Sequence, residues 1–118
     1  MDAEISWLLE VEIVPGQLDN FRAVAAELIA STRTEPGTLA YEWHLNDAGT
    51  LCHIFERYRD SAALVTHVQG FGRVAARFMQ ACRPVRFSVY GTANKEAQAA
   101  LAGLQPIYYS SFLGGFSR

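Results

Sequence analysis

The sequence is poor in charge and contains no long apolar run. Charged residues make up 19% of the 118 residues, below the usual quarter, and the formal net charge is −2. The chain therefore lacks the basic surface that binds nucleic acid or anionic membranes. No apolar run approaches the ~18 residues of a membrane-spanning helix, and the acidic start, Met1 to Glu4, differs from the basic start of a signal peptide. We expect a cytoplasmic protein without nucleic-acid or membrane partners.

Residues that hold metals or cofactors are equally scarce. The two cysteines, Cys52 and Cys82, lie far apart in the sequence, so we expect two reduced thiols in the core. The three histidines are scattered over a hairpin and a helix and do not have the spacing of a zinc site. Gly114-Gly115 does not lead from a strand into a helix, so it is not a phosphate-binding loop. The sequence predicts neither a metal nor a bound cofactor.

Hydrophobic periodicity predicts four strands and two helices in a single domain. The predicted elements are a strand over Ile5–Val14, a helix over Gln17–Thr34, strands over Thr38–Leu45 and Leu51–Tyr58, a helix from Asp60 to about Cys82, and a strand over Val85–Tyr90. The second helix is expected to be interrupted at Gln69-Gly70 and to be stopped by Pro84. This βαββαβ order is typical of an α+β, ferredoxin-like fold, in which two helices cover one face of an antiparallel sheet. The other face is partly apolar, and we expect a second copy of the chain to cover it.

The last part of the chain lies outside this minimal unit. Asn94 is placed to cap a short alanine-rich helix that ends at Gly103. The segment Pro106–Arg118 is rich in aromatic residues and glycine, which is unusual for a disordered tail. We therefore expect a ferredoxin-like domain over residues 1–92, followed over residues 93–118 by a helix and an arm that packs on the domain or on a partner subunit.

Two residues in the middle of the chain are candidates for proton transfer. Glu56 lies in the middle of a predicted strand, where it either pairs with an arginine or is buried with a raised pKa and accepts a proton from a phenol or enol. His67, on the following helix, is either bonded within the core, for example to Glu56, or accepts a proton near neutral pH. Nearby aromatic side chains either belong to the core or form a pocket for a flat aromatic ligand; they are Tyr41, Trp43, Tyr58 and Phe71.

Three groups of residues together resemble the antibiotic biosynthesis monooxygenase (ABM) family. They are Val14-Pro15-Gly16 after the first strand, Glu35-Pro36-Gly37-Thr38-Leu39-Ala40-Tyr41-Glu42 at the second, and Phe55-Glu56-Arg57-Tyr58-Arg59-Asp60 with Ala63-Leu64 and His67. The resemblance covers about residues 4–91. It implies a ferredoxin-like domain that pairs into a homodimeric α+β barrel.

The family resemblance also implies a range of activities. Some members oxidise phenolic or quinol-like compounds with molecular oxygen and no cofactor, others degrade haem or a signal molecule, and others have no known reaction. The haem-degrading branch uses a histidine further along the second helix, where this chain has Ala75, and an asparagine on the first strand, where it has Trp7, Leu9 and Val11. A second histidine that relatives often carry after the one matching His67 is also missing, since Gln69-Gly70-Phe71 occupies that region.

The function expected from the sequence is therefore a cofactor-independent monooxygenase that acts on a small aromatic, phenolic or quinol-like compound. Glu56 and His67 would handle protons, and Tyr41, Trp43, Tyr58 and Phe71 would contact the substrate. Two alternatives remain open at this point: a non-catalytic dimeric barrel that binds a small hydrophobic molecule, and an isomerase or signal-degrading enzyme on the same fold.

Overall fold

The fold is built from five strands and four helices. The computed structural model describes residues 4–118, so Met1 to Ala3 of the acidic start lie outside the described residues. In chain order the elements are β1 (Ile5–Ile13), α1 (Leu18–Thr32), β2 (Thr38–Leu45), β3 (Leu51–Tyr58), α2 (Ser61–Phe71), α3 (Ala75–Ala81), β4 (Cys82–Tyr90), α4 (Lys95–Leu101), a 3₁₀ turn (Ala102–Leu104) and β5 (Ile107–Tyr109). The α+β, ferredoxin-like prediction is confirmed.

The sheet has the strand order β2-β3-β1-β4-β5. The first four strands are antiparallel to their neighbours, as predicted, but β5 pairs in parallel with Ser88–Tyr90 of β4. The four antiparallel strands of the predicted unit are present, and β5 is a fifth strand that the sequence did not predict. The sheet is mixed because the chain crosses over through α4 before it returns to the edge of β4.

Alternation along β1 separates the two faces of the sheet. Ile5, Trp7, Leu9 and Val11 are buried beneath the helices, whereas the residues between them point to the opposite face. That opposite face carries apolar side chains that the chain itself leaves partly exposed: Leu8, Phe55, Tyr90, Ile107 and Tyr109. The helix-covered face thus contains the core and any enclosed site.

Two predicted boundaries in the second half of the chain are wrong. The helix is not interrupted at Gln69-Gly70; α2 runs through Gly70 to Phe71, and the break follows at residues 72–74, where Val74 turns inward and is buried. Pro84 does not stop the helix either, since α3 ends at Ala81 and Pro84 lies inside β4. A proline is tolerated there because β5 pairs only with Ser88–Tyr90, so the edge of β4 at Pro84 needs no N–H donor.

The C-terminal segment confirms the predicted cap and extends the sheet. The side chain of Asn94 accepts a hydrogen bond from the Ala97 amide at 2.9 Å, as expected for a helix N-cap. Tyr109 stacks on Tyr90 at a ring distance of 5.6 Å. Beyond this strand the chain itself buries little, because Phe112 and Phe116 are 82% and 81% exposed. Packing of the arm on a partner subunit stays a prediction.

None of the helices within residues 4–118 has the length and apolar character of a membrane-spanning segment.

Gly37 allows α2 to approach the turn before β2 closely. A Cβ atom added at Gly37 would lie 2.6 Å from the Cβ of Ala63 in the first turn of α2, a distance that real Cβ atoms do not tolerate. We predict that Gly37→Ala lowers the free energy of unfolding by about 1–3 kcal/mol, the usual range for overpacking. Urea unfolding measures the change. Gly103→Ala is the matched control, since a Cβ there meets nothing within 4 Å; equal stability of the two variants would contradict the prediction.

Candidate functional site

A small, partly open cavity lies between the sheet and helices α2, α3 and α4. Its volume is about 80 Å³. Its lining is apolar except for Glu56 and His67, and comprises Trp7, Leu9, Ile54, Glu56, His67, Val68, Phe71, Phe78, Met79, Phe87, Ala100, Leu101 and Leu104. A cavity with an apolar wall and two adjacent ionisable groups is the usual form of a small-molecule site.

Glu56 reaches the cavity because of its position in β3. Cys52, Ile54, Glu56 and Tyr58 alternate onto the helix-covered face, so a strand pattern that buries apolar side chains also buries this carboxyl group. Glu56 is 4% exposed. Burial raises its pKa, and the neighbouring His67 and the Tyr58 hydroxyl oppose that shift only in part. Glu56 therefore holds a proton more tightly than an exposed carboxyl does.

Two aromatic donors surround the Glu56 carboxyl group. The hydroxyl group of Tyr58 donates a hydrogen bond to Oε1 of Glu56. Trp7 lies opposite Glu56 in the β1–β3 ladder and favours its ionised form, although the buried indole N–H makes no hydrogen bond of standard geometry within residues 4–118. Burial and the nearby Glu56 raise the pKa of Tyr58 well above its ordinary value, so Tyr58 remains a hydrogen-bond donor at every physiological pH.

His67 connects two carboxyl groups. Its Nε2 lies 3.4 Å from Oε1 of Glu56, and its Nδ1 lies 3.0 Å from Oε1 of Glu35. The same Glu35 oxygen accepts a hydrogen bond from Oγ1 of Thr38 at 2.9 Å, which fixes the carboxylate at the start of β2. When Nδ1 donates to Glu35, the lone pair of Nε2 faces Oε1 of Glu56. Glu35, His67, Glu56 and Tyr58 form a row of adjacent polar groups, here called the relay: hydrogen bonds join His67 to Glu35 and Tyr58 to Glu56, and Nε2 of His67 lies within ion-pair distance of Glu56.

The relay is suited to moving one proton within an apolar cavity. Oε1 of Glu56 faces the Tyr58 hydroxyl and Nε2 of His67, and the Trp7 indole also lies beside the carboxyl group. Because Glu56 lines the cavity, its carboxyl group can take a proton from a molecule there or supply one. His67 and Glu35 can spread the resulting charge over two further groups.

The structure brings together four of the six predicted site residues. Glu56, His67 and Phe71 line the cavity. Tyr58 lies behind Glu56, fully buried, so it supports the carboxyl group and has no surface for a substrate.

The other two predicted site residues lie outside the cavity. Tyr41 contacts the edge of the His67 ring at a centroid distance of 5.2 Å. Trp43 packs on Phe21 of α1 at 5.5 Å. Neither residue lines the cavity, and their contact with a substrate stays a prediction.

The alternative in which an arginine pairs with Glu56 is not realised within this chain. Arg57 lies 3.8 Å from Glu4, and Arg59 lies 3.7 Å from Asp60. His53 is exposed on the open face, 3.3 Å from Glu10, and His44 is near Glu42. His67 is thus the one histidine that reaches the cavity.

Sequence reasoning missed Glu35 and the helical wall of the cavity. Glu35 stands directly before Pro36-Gly37, where it reads as part of a turn, and its partner His67 is 32 residues away. The residues of α4 that close the cavity, Ala100 and Leu101, follow an ordinary helical pattern that reveals nothing about their partner.

Both cysteines are free and buried, and burial raises the pKa of Cys52 to about 11. No group of three or more potential metal ligands is found among the described residues.

A family model and several solved structures match this chain. The family model described as "Antibiotic biosynthesis monooxygenase" matches residues 5–79. The fold is similar to that of MupZ from Pseudomonas fluorescens, with a TM-score of 0.84 and 26% identity over 99% of this chain and 96% of MupZ. It is also similar to Rv0793 from Mycobacterium tuberculosis, with a TM-score of 0.69 and 24% identity over 79% of this chain and 98% of that protein.

A third solved structure comes from a protein of stated activity. SnoaB from Streptomyces nogalater, a cofactor-independent oxygenase, has a TM-score of 0.66 and 14% identity over 79% of this chain and 96% of its own; at that identity the likeness concerns the fold. No curated protein matches the sequence.

The raised pKa of Glu56 predicts a pH-dependent stability. The unfolded chain loses this proton near the ordinary value of 4.5, whereas the folded protein keeps it to higher pH. The free energy of unfolding of the wild type therefore falls, relative to Glu56→Gln, as the pH rises above 4.5 and until it passes the folded pKa. Urea unfolding of both proteins between pH 4.5 and 8 measures the difference.

The control for this experiment is Asp47→Asn, which removes an exposed carboxylate in the β2–β3 turn. It should follow the wild type at every pH. Parallel stability curves for the wild type and Glu56→Gln would show that the Glu56 carboxyl titrates as it does in the unfolded chain.

Proposed function

Because this chain belongs to the antibiotic biosynthesis monooxygenase family, we propose that it is a cofactor-independent monooxygenase acting on a phenolic or quinol-like compound. Family membership supports a monooxygenase-type role. The observation that carries the finer proposal is the Glu35–His67–Glu56–Tyr58 relay, which brings the carboxyl group of Glu56 to the wall of an apolar cavity.

In this proposal the protein removes a proton and the substrate does the redox chemistry. Glu56 in its ionised form takes a proton from the phenol or from an adjacent acidic C–H group, and Nε2 of His67 can accept that proton in turn, which restores the carboxylate and leaves the positive charge on the imidazole. The resulting anion transfers an electron to oxygen, and the two radicals combine to form a C–O bond. If a ring CH₂ becomes a C=O group, one oxygen atom enters the product, the other leaves as water, and the substrate carbon supplies all four electrons.

The apolar walls have a separate role in this scheme. Exclusion of water makes an anion formed beside Glu56 a stronger electron donor and protects reactive oxygen species from side reactions. Phe71, Phe78 and Trp7 supply flat apolar surface for an aromatic ring. No group in this scheme needs to change its own oxidation state.

A second candidate function is proton transfer without oxygen, as in an isomerase. The observation that favours it is the arrangement of two carboxyl groups on either side of one imidazole, which can remove a proton from one position of a substrate and return it to another. Oxygen uptake separates the two functions. A panel of hydroquinones and anthrones that consumes oxygen in the presence of the purified protein supports the monooxygenase, whereas product formed under strict anaerobiosis supports the isomerase.

We predict that Glu56→Gln lowers turnover by roughly 100-fold or more, the usual scale for loss of a general base. Glutamine keeps the shape of the side chain and an oxygen that accepts from Tyr58, so the fold and ligand binding should remain nearly intact. His67→Ala should lower turnover in the same direction, and less if His67 only orients Glu56. Oxygen consumption and a thermal melt of each variant are the measurements.

His53→Gln serves as the matched control, because His53 is an exposed histidine on the other face of β3 and should keep wild-type turnover. Wild-type turnover of Glu56→Gln, together with a native melting curve, would show that Glu56 is a buried structural residue.

We further propose that the protein is a homodimer paired through the open sheet face. Phe55 and Leu8 are only partly covered within the chain, and an apolar sheet face of this kind is normally buried against another layer. Sedimentation at micromolar concentration should give about twice the 13.1 kDa of one chain, and Phe55→Glu should shift the protein toward the monomer. A wild-type monomer that unfolds cooperatively would rule out the barrel.

A further inference from the structure

The cavity at Glu56 is too small for a polycyclic substrate. At about 80 Å³ it is well below the roughly 300–1,000 Å³ of typical ligand sites, and also below the roughly 150 Å³ cavity that takes up benzene in another protein. A reacting ring therefore requires the cavity to extend into neighbouring space.

That space is an open groove of about 720 Å³ on the far side of the cavity wall. The groove runs along the unpaired edge of β4, and its lining includes Pro84, Val85 and Ile107. Three residues line both the groove and the cavity: Met79, Phe87 and Leu104. The groove and the cavity that contains Glu56 therefore share a wall to which these three side chains contribute.

One of the three shared side chains has room to move. Phe87 is buried and packs edge-to-face on Trp7 at 5.2 Å, and Leu104 packs against the core. Met79 is 48% exposed and has three rotatable bonds. Rotation of Met79 therefore opens the boundary between the groove and the cavity without a change in the fold.

The groove combines a row of apolar side chains with polar surface of similar extent. The apolar side chains are Met79, Pro84, Val85, Phe87, Leu104 and Ile107. Its two charged residues, Glu10 and Arg86, are ladder partners of opposite sign, so the groove has no strong preference for a charged ligand. Its outer wall, Gly103–Ile107, lies beyond the residues that match the family model, 5–79.

We propose that the groove binds an apolar chain attached to the reacting group, so that the substrate is elongated: its head reaches Glu56 between Met79 and Leu104, and its chain lies along β4. This inference rests on the proposed function only in taking Glu56 as the reacting end. The length of the apolar substituent that fits is set by the groove, and binding measurements report it without any turnover.

The test is anaerobic calorimetric titration of the protein with 1,4-hydroquinones that carry linear alkyl chains of zero to nine carbons. Without oxygen the probes bind and are not oxidised. We expect the dissociation constant to fall by about two- to fourfold per methylene while the chain fills the groove, since a fully buried CH₂ is worth about 0.8 kcal/mol, and then to level off. A dissociation constant that does not change with chain length overturns the proposal.

Groove variants distinguish this site from unspecific binding. Val85→Glu and Gly103→Glu place a charge in the groove at positions that are already exposed and do not line the Glu56 cavity. Each should weaken the long-chain probes by tenfold or more and leave unsubstituted hydroquinone unchanged. Leu39→Glu, an exposed leucine outside the groove, is the control that should affect neither. If the dissociation constant still falls with alkyl chain length in both groove variants, the alkyl chains bind elsewhere and the proposal is wrong.

The same probes separate this inference from the proposed function. Binding that depends on chain length, without oxygen uptake when air is admitted, refutes the monooxygenase and leaves the elongated substrate standing. Oxygen uptake at a rate and affinity independent of chain length supports the monooxygenase and refutes the groove.

Discussion

The site depends on the burial of one imidazole between two carboxyl groups. An ionised carboxyl group that loses its water is costly unless it gains partners. For Glu56 this cost is offset by the hydrogen bond from the Tyr58 hydroxyl and by the neighbouring His67, and its pKa is raised. His67 is in turn held by Glu35 at 3.0 Å. This contact requires α2 to lie against the turn that contains Gly37, so the backbone packing and the chemistry of the site are set by the same close approach.

Strand alternation and helical spacing made three residues of the relay predictable: Glu56, Tyr58 and His67. A period of two along β3 places Glu56 and Tyr58 on one face whatever their partners are, and the helical spacing after Asp60 places His67 on the buried side of α2. The same alternation does not predict which part of the core a strand contacts. Tyr41 and Trp43 do face the helices, but β2 is at the edge of the sheet, beneath α1, where Trp43 meets Phe21 and lies away from the α2–α4 cavity.

The features that local sequence did not reveal depend on contacts between distant segments. Pro84 breaks a helix or sits at an open strand edge, and only the position of β5 decides between these outcomes. The turn at residues 72–74 depends on the need to bury Val74 and Phe78. Glu35 gains its role from a histidine 32 residues further on. In each case the residue types permit several structures, and the tertiary partner selects one.

The relay and the walls around it come from different parts of the chain. Glu35, Glu56, Tyr58 and His67 all lie within residues 5–79, which match the family model, whereas Phe87, Ala100, Leu101 and Leu104 lie beyond it. The similarity to MupZ extends over 99% of the chain, so this second part has a counterpart there. A fold that carries proton chemistry on β3 and α2 can acquire a new substrate range by changing α4 and the turn before β5, because those segments shape the cavity without touching the relay.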